Sequence, residues 1–145
     1  MTRADSAAAN VAASKMNCSQ SVLTAFCEEL GMEITLARKV ALGFGGGMGR
    51  TGKTCGAVTG AYMVIGLKQD LNPENAQQVK DKVYQLIKEF NQKFIEKNGS
   101  TTCKDLLGCD LSTPEGSAYA KEKGLFAKVC PKFVHDAVEI LEGMG

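Results

Sequence analysis

Cys55-Gly56-Ala57-Val58-Thr59-Gly60-Ala61-Tyr62-Met63-Val64-Ile65-Gly66-Leu67 is the stretch that decides the fold. It is small and apolar almost all round and carries no charge to mark a solvent face. A helix of that kind has to be enclosed, so the stretch predicts a buried central helix with other helices around it. Gly56 and Gly60, beside Ala57 and Ala61, would let another backbone approach closely. Outward from this segment the apolar residues keep helical spacing. Val22, Phe26 and Leu30 recur every four residues, with Leu23 and Cys27 alongside. Ala76, Val79, Val83, Ile87, Phe90 and Phe94 follow a three-four spacing over roughly five turns. Pro73, after Asn72, lies just before that long helix, and Asn98-Gly99 ends it. Phe133, Val134, Ala137, Val138 and Leu141 make a last stripe that stops at Gly143. Ser112-Thr113-Pro114-Glu115 opens a short helix, and Leu36 to Phe44 reads as the end of another. The chain shows no alternating strand of useful length, no internal repeat and no low-complexity region. The predicted fold is all-α: a single-domain helical bundle over residues 1–145, with about five or six helices. A glycine-rich loop, Gly43 to Lys53, precedes the buried central helix and holds six glycines.

A chain of 145 residues can bury a real core without disulfides. Its 17 basic and 16 acidic residues nearly balance, and no basic patch is interleaved with aromatics, which argues against nucleic acid. No apolar run reaches the roughly 18 residues of a membrane span. Residues 1–14 are small and polar and lack the apolar core of a secretory signal, so a cytoplasmic location is expected. Structural disulfides are rare there, and six cysteines then argue for metal or redox use.

The positions of four cysteines sharpen that argument. Asn17-Cys18-Ser19-Gln20 reads as a helix N-cap followed three residues later by Gln. Thr102-Cys103-Lys104-Asp105 has the same form. Cys55 follows Thr54, and Cys130 precedes Pro131, a residue favoured at the first helical position. A helix N-terminus offers unpaired N–H groups and partial positive charge, which favour thiolate over thiol. One cysteine so placed is ordinary; four in one small domain suggest a site.

Gly47-Met48-Gly49-Arg50-Thr51-Gly52-Lys53-Thr54 matches the phosphate-binding pattern G-x-x-x-x-G-K-[ST]. A P-loop needs a buried strand before it and parallel strands after it, and neither is legible here. Nucleotide binding through Gly47 to Thr54 is therefore the minor alternative.

The run from Gly43-Phe44-Gly45-Gly46-Gly47-Met48 through Cys55-Gly56-Ala57-Val58-Thr59-Gly60-Ala61, with cysteines before and after it, resembles the C-GCAxxG-C-C family of redox proteins. Cys18 stands at the upstream cysteine of that family, Cys55 at the motif cysteine, and Cys103 and Cys130 at the two downstream ones. The resemblance keeps the order of all four elements over nearly the whole chain. It implies a small, mostly helical domain with a redox role, in a family where some members carry selenocysteine. The same kind of domain is joined to a haem-binding region in a cytochrome. This chain has no C-x-x-C-H, so covalent c-type haem is not supported here.

Two chemistries follow for Cys18, Cys55, Cys103 and Cys130. In the first they ligate an iron–sulfur cluster or another metal site, four thiolates being the usual cluster set. Zinc would suit the same sulfurs but would be redox-silent. The spacings of 37, 48 and 27 residues match no compact ferredoxin or zinc-ribbon pattern, so the ligands must meet through the fold. In the second, an activated cysteine attacks a disulfide or peroxide and another resolves it. Cys55 is the expected attacking group, with Lys53 and Arg50 nearby to lower its pKa. Either chemistry calls for a redox partner protein. Cys109, six residues past Cys103, is an extra candidate ligand or resolving thiol. Cys27 sits inside an apolar stripe and reads as core. His135, the only histidine, reads as a polar surface residue. A third reading is an interaction module in which Gly56, Ala57, Gly60 and Ala61 pair two subunits as a homodimer.

Overall fold

The computed structural model describes residues 1–144. Helix follows helix, and no strand forms among the described residues; one isolated antiparallel bridge joins Thr54 and Thr102. The elements are α1 (Arg3–Ala12), α2 (Cys18–Thr24), α3 (Ile34–Leu42), α4 (Gly45–Met48), α5 (Gly56–Leu67), α6 (Ala76–Asn98), α7 (Cys103–Leu107), α8 (Pro114–Lys123), α9 (Leu125–Lys128) and α10 (Cys130–Gly143). The all-α expectation holds, but the helices outnumber the five or six expected. Part of the excess is single turns, α4 and α9, in segments without apolar periodicity. Part is α1, whose start is a capping box: Thr2 Oγ1 accepts from Asp5 N at 3.0 Å, and Asp5 accepts from Thr2 N at 3.2 Å. The Val22–Phe26–Leu30 stripe is not one helix either. The helix stops at Thr24 and the chain continues through tight turns to Gly31, where φ is +86°.

The central helix is where the sequence places it. In α5, Gly56, Ala57, Val58, Thr59, Gly60, Ala61, Val64 and Ile65 are all buried. Its nearest neighbour is α2, and the approach is backbone to backbone. A Cβ added at Gly60 would lie 2.8 Å from the Ser19 carbonyl oxygen, and one at Gly56 would lie 3.0 Å from the Ser19 nitrogen. The small residues therefore serve a contact inside one chain. They are covered and cannot form the subunit interface considered above.

Helix α10 closes the other side. Phe133, Val134, Ala137, Val138 and Leu141 are buried, as their spacing predicts, and the helix packs along α1, whose Ala4, Ala7 and Val11 face it. The long α6 is anchored only near its C-terminal half. Phe90 and Phe94 are fully buried, with ring centroids 5.8 Å apart, and Phe94 meets Phe133 at 6.4 Å. Each such ring contributes roughly 1.5–3 kcal/mol by burial. Earlier members of the stripe, Val79, Val83 and Ile87, are only half-buried. Among the described residues no helix is long and apolar enough to cross a membrane.

The α2–α5 contact separates two glycines of one helix. Gly60→Ala places a methyl against backbone, and a net loss of about 1–3 kcal/mol is expected. Gly66 is exposed with nothing within 4 Å of an added Cβ, so Gly66→Ala should be neutral or stabilise by up to about 1 kcal/mol. Thermal unfolding of the two variants checks this; equal midpoints would refute the close approach.

Candidate functional site

Four helix starts meet at one cavity of about 520 Å³, and its walls include Cys18, Cys55, Cys103 and Cys130. Each start is fixed locally. Asn17 caps α2: its Oδ1 accepts from Gln20 N at 2.9 Å, and Gln20 Oε1 accepts from Asn17 N at 3.0 Å. The free ends of both side chains reach α3, where Asn17 Nδ2 donates to the Leu42 carbonyl and Gln20 Nε2 to that of Arg38, both at 2.9 Å. Cys55 is itself the N-cap residue of α5, and its amide donates to the Thr101 carbonyl at 2.8 Å. Cys103 opens α7, and its amide donates to the Lys53 carbonyl at 2.6 Å. Thr102 does not cap with its side chain as its sequence suggests; its amide instead donates to Ser100 Oγ, which donates in turn to Asp105 Oδ2. Cys130 opens α10 ahead of Pro131.

The glycine loop wraps this cavity in an unusual backbone. Gly46, Gly47, Met48, Gly49 and Arg50 all have φ between +62° and +71°, a left-handed turn of five successive residues. Gly49 N and Arg50 N both donate to the Gly45 carbonyl, and Thr51 Oγ1 donates to the Gly47 and Met48 carbonyls. A Cβ on Gly47 would lie 2.6 Å from Cys103 Cβ, and one on Gly45 would lie 2.5 Å from Asn17 Nδ2. The loop glycines are thus pressed against the residues that hold the site. The same bonds answer the P-loop reading. Helix α3, not a strand, precedes the loop, and the Gly52 and Lys53 amides point back to the Gly46 and Gly47 carbonyls instead of cradling a phosphate.

Electrostatics correct the expected activation of the thiols. Burial pushes Cys55 up to about 12, against the pull of the Ala57 and Val58 amides at the helix start. Burial and the neighbouring thiols push Cys103 up to about 12. Cys18 is raised well above the usual thiol range, first by its hydrogen bond with Cys130 and then by burial. Cys130 alone is lowered, because Cys18 stabilises its thiolate by that bond. Desolvation is therefore the leading cause at Cys55 and Cys103, and at Cys55 it outweighs the helix-start amides. Neither cation expected to activate Cys55 contributes to its shift: Lys53 is exposed, and Arg50, although on the cavity, lies 5.5 Å over the Phe126 ring.

The remaining candidates divide cleanly. Cys27 is fully buried in the core, its Sγ 3.7 Å from the Thr24 carbonyl. Cys109 is half-buried, close enough to Cys103 to raise its pKa, and does not line the cavity. His135 is partly exposed on α10, with Nε2 3.4 Å from Asp5 Oδ1 and Nδ1 3.6 Å from both Asp136 Oδ1 and Glu139 Oε1. Lys132 lies 2.7 Å from Asp136 and Lys97 lies 3.6 Å from Glu139, so this cluster is an ion-pair network. Sequence reasoning missed the apolar walls, among them Val11 and Phe126, which come from remote segments without a local signal. Arg50 is the one charged side chain on the cavity among the described residues.

The four-cysteine geometry and the glycine turn coincide with a family signature. The chain belongs to the C-GCAxxG-C-C family. The family's model, described as "Putative redox-active protein (C_GCAxxG_C_C)", matches residues 16–144. The match contains all four cavity cysteines and leaves out α1. A protein of Archaeoglobus fulgidus (strain ATCC 49558 / DSM 4304 / JCM 9628 / NBRC 100126 / VC-16), named "Uncharacterized protein", is 30% identical over 131 residues, or 86% of this chain and 81% of its own length. No solved structure matches.

The thiol ordering is directly measurable. Under native conditions near pH 8, iodoacetamide should modify Cys130 first among the four, with Cys55 and Cys103 protected until the chain unfolds. Mass mapping that finds Cys55 fastest would restore it as the attacking group.

Proposed function

We propose that the protein carries electrons through an iron–sulfur cluster ligated by Cys18, Cys55, Cys103 and Cys130. The observation that carries this reading is the convergence of four helix-start cysteines on one cavity, with their sulfurs set apart. Among the described residues, no three of those sulfurs lie within 4.8 Å of one another. A single tetrahedral zinc, with bonds of about 2.3 Å, holds its sulfurs about 3.8 Å apart. The wider set suits a polynuclear group. The pKa pattern agrees: buried thiols that raise one another's pKa ionise only against a strong local positive charge, which bound metal supplies. When bound, the cluster would supply reversible one-electron chemistry. The chain's own part is to hold the four sulfurs, exclude water with apolar walls such as Phe126 and Phe133, and cover the cavity with the left-handed turn.

The proximity of Cys18 and Cys130, each of which shifts the other's ionisation, favours a second reading. Here the Cys130 thiolate attacks a partner disulfide, forms a mixed disulfide and releases one partner thiolate. Cys18 then attacks Cys130 sulfur and releases the second. The partner gains two electrons, and Cys18–Cys130 is left as a disulfide.

Protein purified without oxygen distinguishes the two. The first reading expects iron and acid-labile sulfide at about two or four per chain with a visible spectrum, lost on Ser substitution at any of the four cysteines and kept in Cys27→Ser. Absence of both, with Cys18 and Cys130 oxidising reversibly as a pair, would overturn the cluster and leave the dithiol.

A further inference from the structure

Charge is unevenly distributed along this chain. Between Glu33 and Asp70 it carries Arg38, Lys39, Arg50, Lys53 and Lys68 and no acidic residue, although the whole chain is nearly balanced. That interval contains α3 and the left-handed turn, both at the cavity, where Leu42 and Arg50 contribute to the wall. Arg38, Lys39, Arg50 and Lys53 are all exposed, and none is ion-paired among the described residues. No carboxylate lines the cavity among those residues.

The same segment exposes apolar surface. Helix α3 buries only Ala37 and Ala41, while Ile34, Leu36, Val40 and Leu42 are 41%, 51%, 45% and 61% exposed and Met48 is 40% exposed. Half of the large exposed hydrophobic side chains fall within these 15 residues. Met48 and Arg50 also keep side chains at left-handed positions, which are strained for any residue but glycine. Strain retained beside a site points to a use for those side chains.

We propose that α3 and the left-handed turn form the docking surface for an acidic electron-carrier protein. This rests on the redox reading of the cavity. Leu36, Val40, Leu42 and Met48 supply an apolar centre, and Arg38, Lys39, Arg50 and Lys53 supply a cationic rim that steers an anionic partner onto the cavity mouth. A second copy of this chain fits poorly, since a two-fold contact would set the same cations against one another.

Binding and electron transfer test this separately. The probe is an acidic plant-type ferredoxin, with the basic cytochrome c as control, followed by fluorescence anisotropy against the anaerobically purified protein. Ferredoxin should bind in about 20 mM salt and weaken about tenfold or more by about 300 mM, while cytochrome c does not bind. Arg38→Glu/Lys39→Glu and, independently, Leu36→Asp should each weaken ferredoxin about tenfold, with circular dichroism unchanged. Reduction by dithionite, which needs no docking, should be the same in wild type and variants. Equal binding of both probes, or ferredoxin binding indifferent to salt and to both variants, would overturn the proposal. A wild-type dimer that Leu36→Asp makes monomeric would overturn it in favour of self-association. Failure of dithionite to reduce the wild type would count against the redox reading, whereas the binding results alone decide the surface.

Discussion

Everything at the site depends on how closely α2 and α5 pack. Gly56 marks the junction: an added Cβ there would meet Ser19 nitrogen at 3.0 Å, Cys18 Cβ at 3.1 Å and the Phe44 carbonyl at 3.2 Å. The start of α2 and the glycine loop therefore both press on one position that has no side chain. One turn later Gly60 repeats the contact against the Ser19 carbonyl. These two glycines bring Cys18 and Cys55 to the same wall and bring the end of the glycine loop over them. The spacing in Cys55-Gly56-Ala57-Val58-Thr59-Gly60 thus has a mechanical reason. The cysteine stands at the helix start, and the glycines four apart form the bare stripe on which the other cysteine's helix rests.

The site is held at a cost in stability. A five-residue left-handed turn with Met48 and Arg50 in it is unfavourable, and three thiols are kept where burial opposes their ionisation. The rest of the molecule offsets this. The Asn17–Gln20 capping box also bridges to α3, the Lys53–Cys103 backbone bond ties the loop to α7, and α10 holds Cys130 against α1 and the Phe94–Phe133 contact. Binding of a cation-rich group would relieve the thiols in the folded state alone, so such a group would also stabilise the fold.

Sequence patterning carried the architecture further than the chemistry. The buried central helix, the α10 stripe, the Asn17 cap and the α8 start at Thr113-Pro114 follow from local periodicity and cap residues, and each is present. Helix α1 also had a local signal, Thr2 with Asp5, masked by a run of small residues. The four site cysteines were legible as helix starts, and their grouping at one cavity agrees with the resemblance. Their ionisation was not legible. Helix position is local, whereas desolvation is set by Val11, Phe126 and Phe133 arriving from distant parts of the chain. The left-handed turn was hidden for a related reason. Six glycines permit such a backbone, but only contact with Asn17 and Cys103 selects it.

In the proposed function the four sulfurs surround one metal-bearing group. Anomalous diffraction at the iron edge, from crystals of protein purified without oxygen, tests it most directly. A single strong peak is expected, enclosed by Cys18, Cys55, Cys103 and Cys130 and beneath the turn from Gly46 to Arg50. No peak there, or iron bound instead at His135, Asp136 and Glu139, would contradict it.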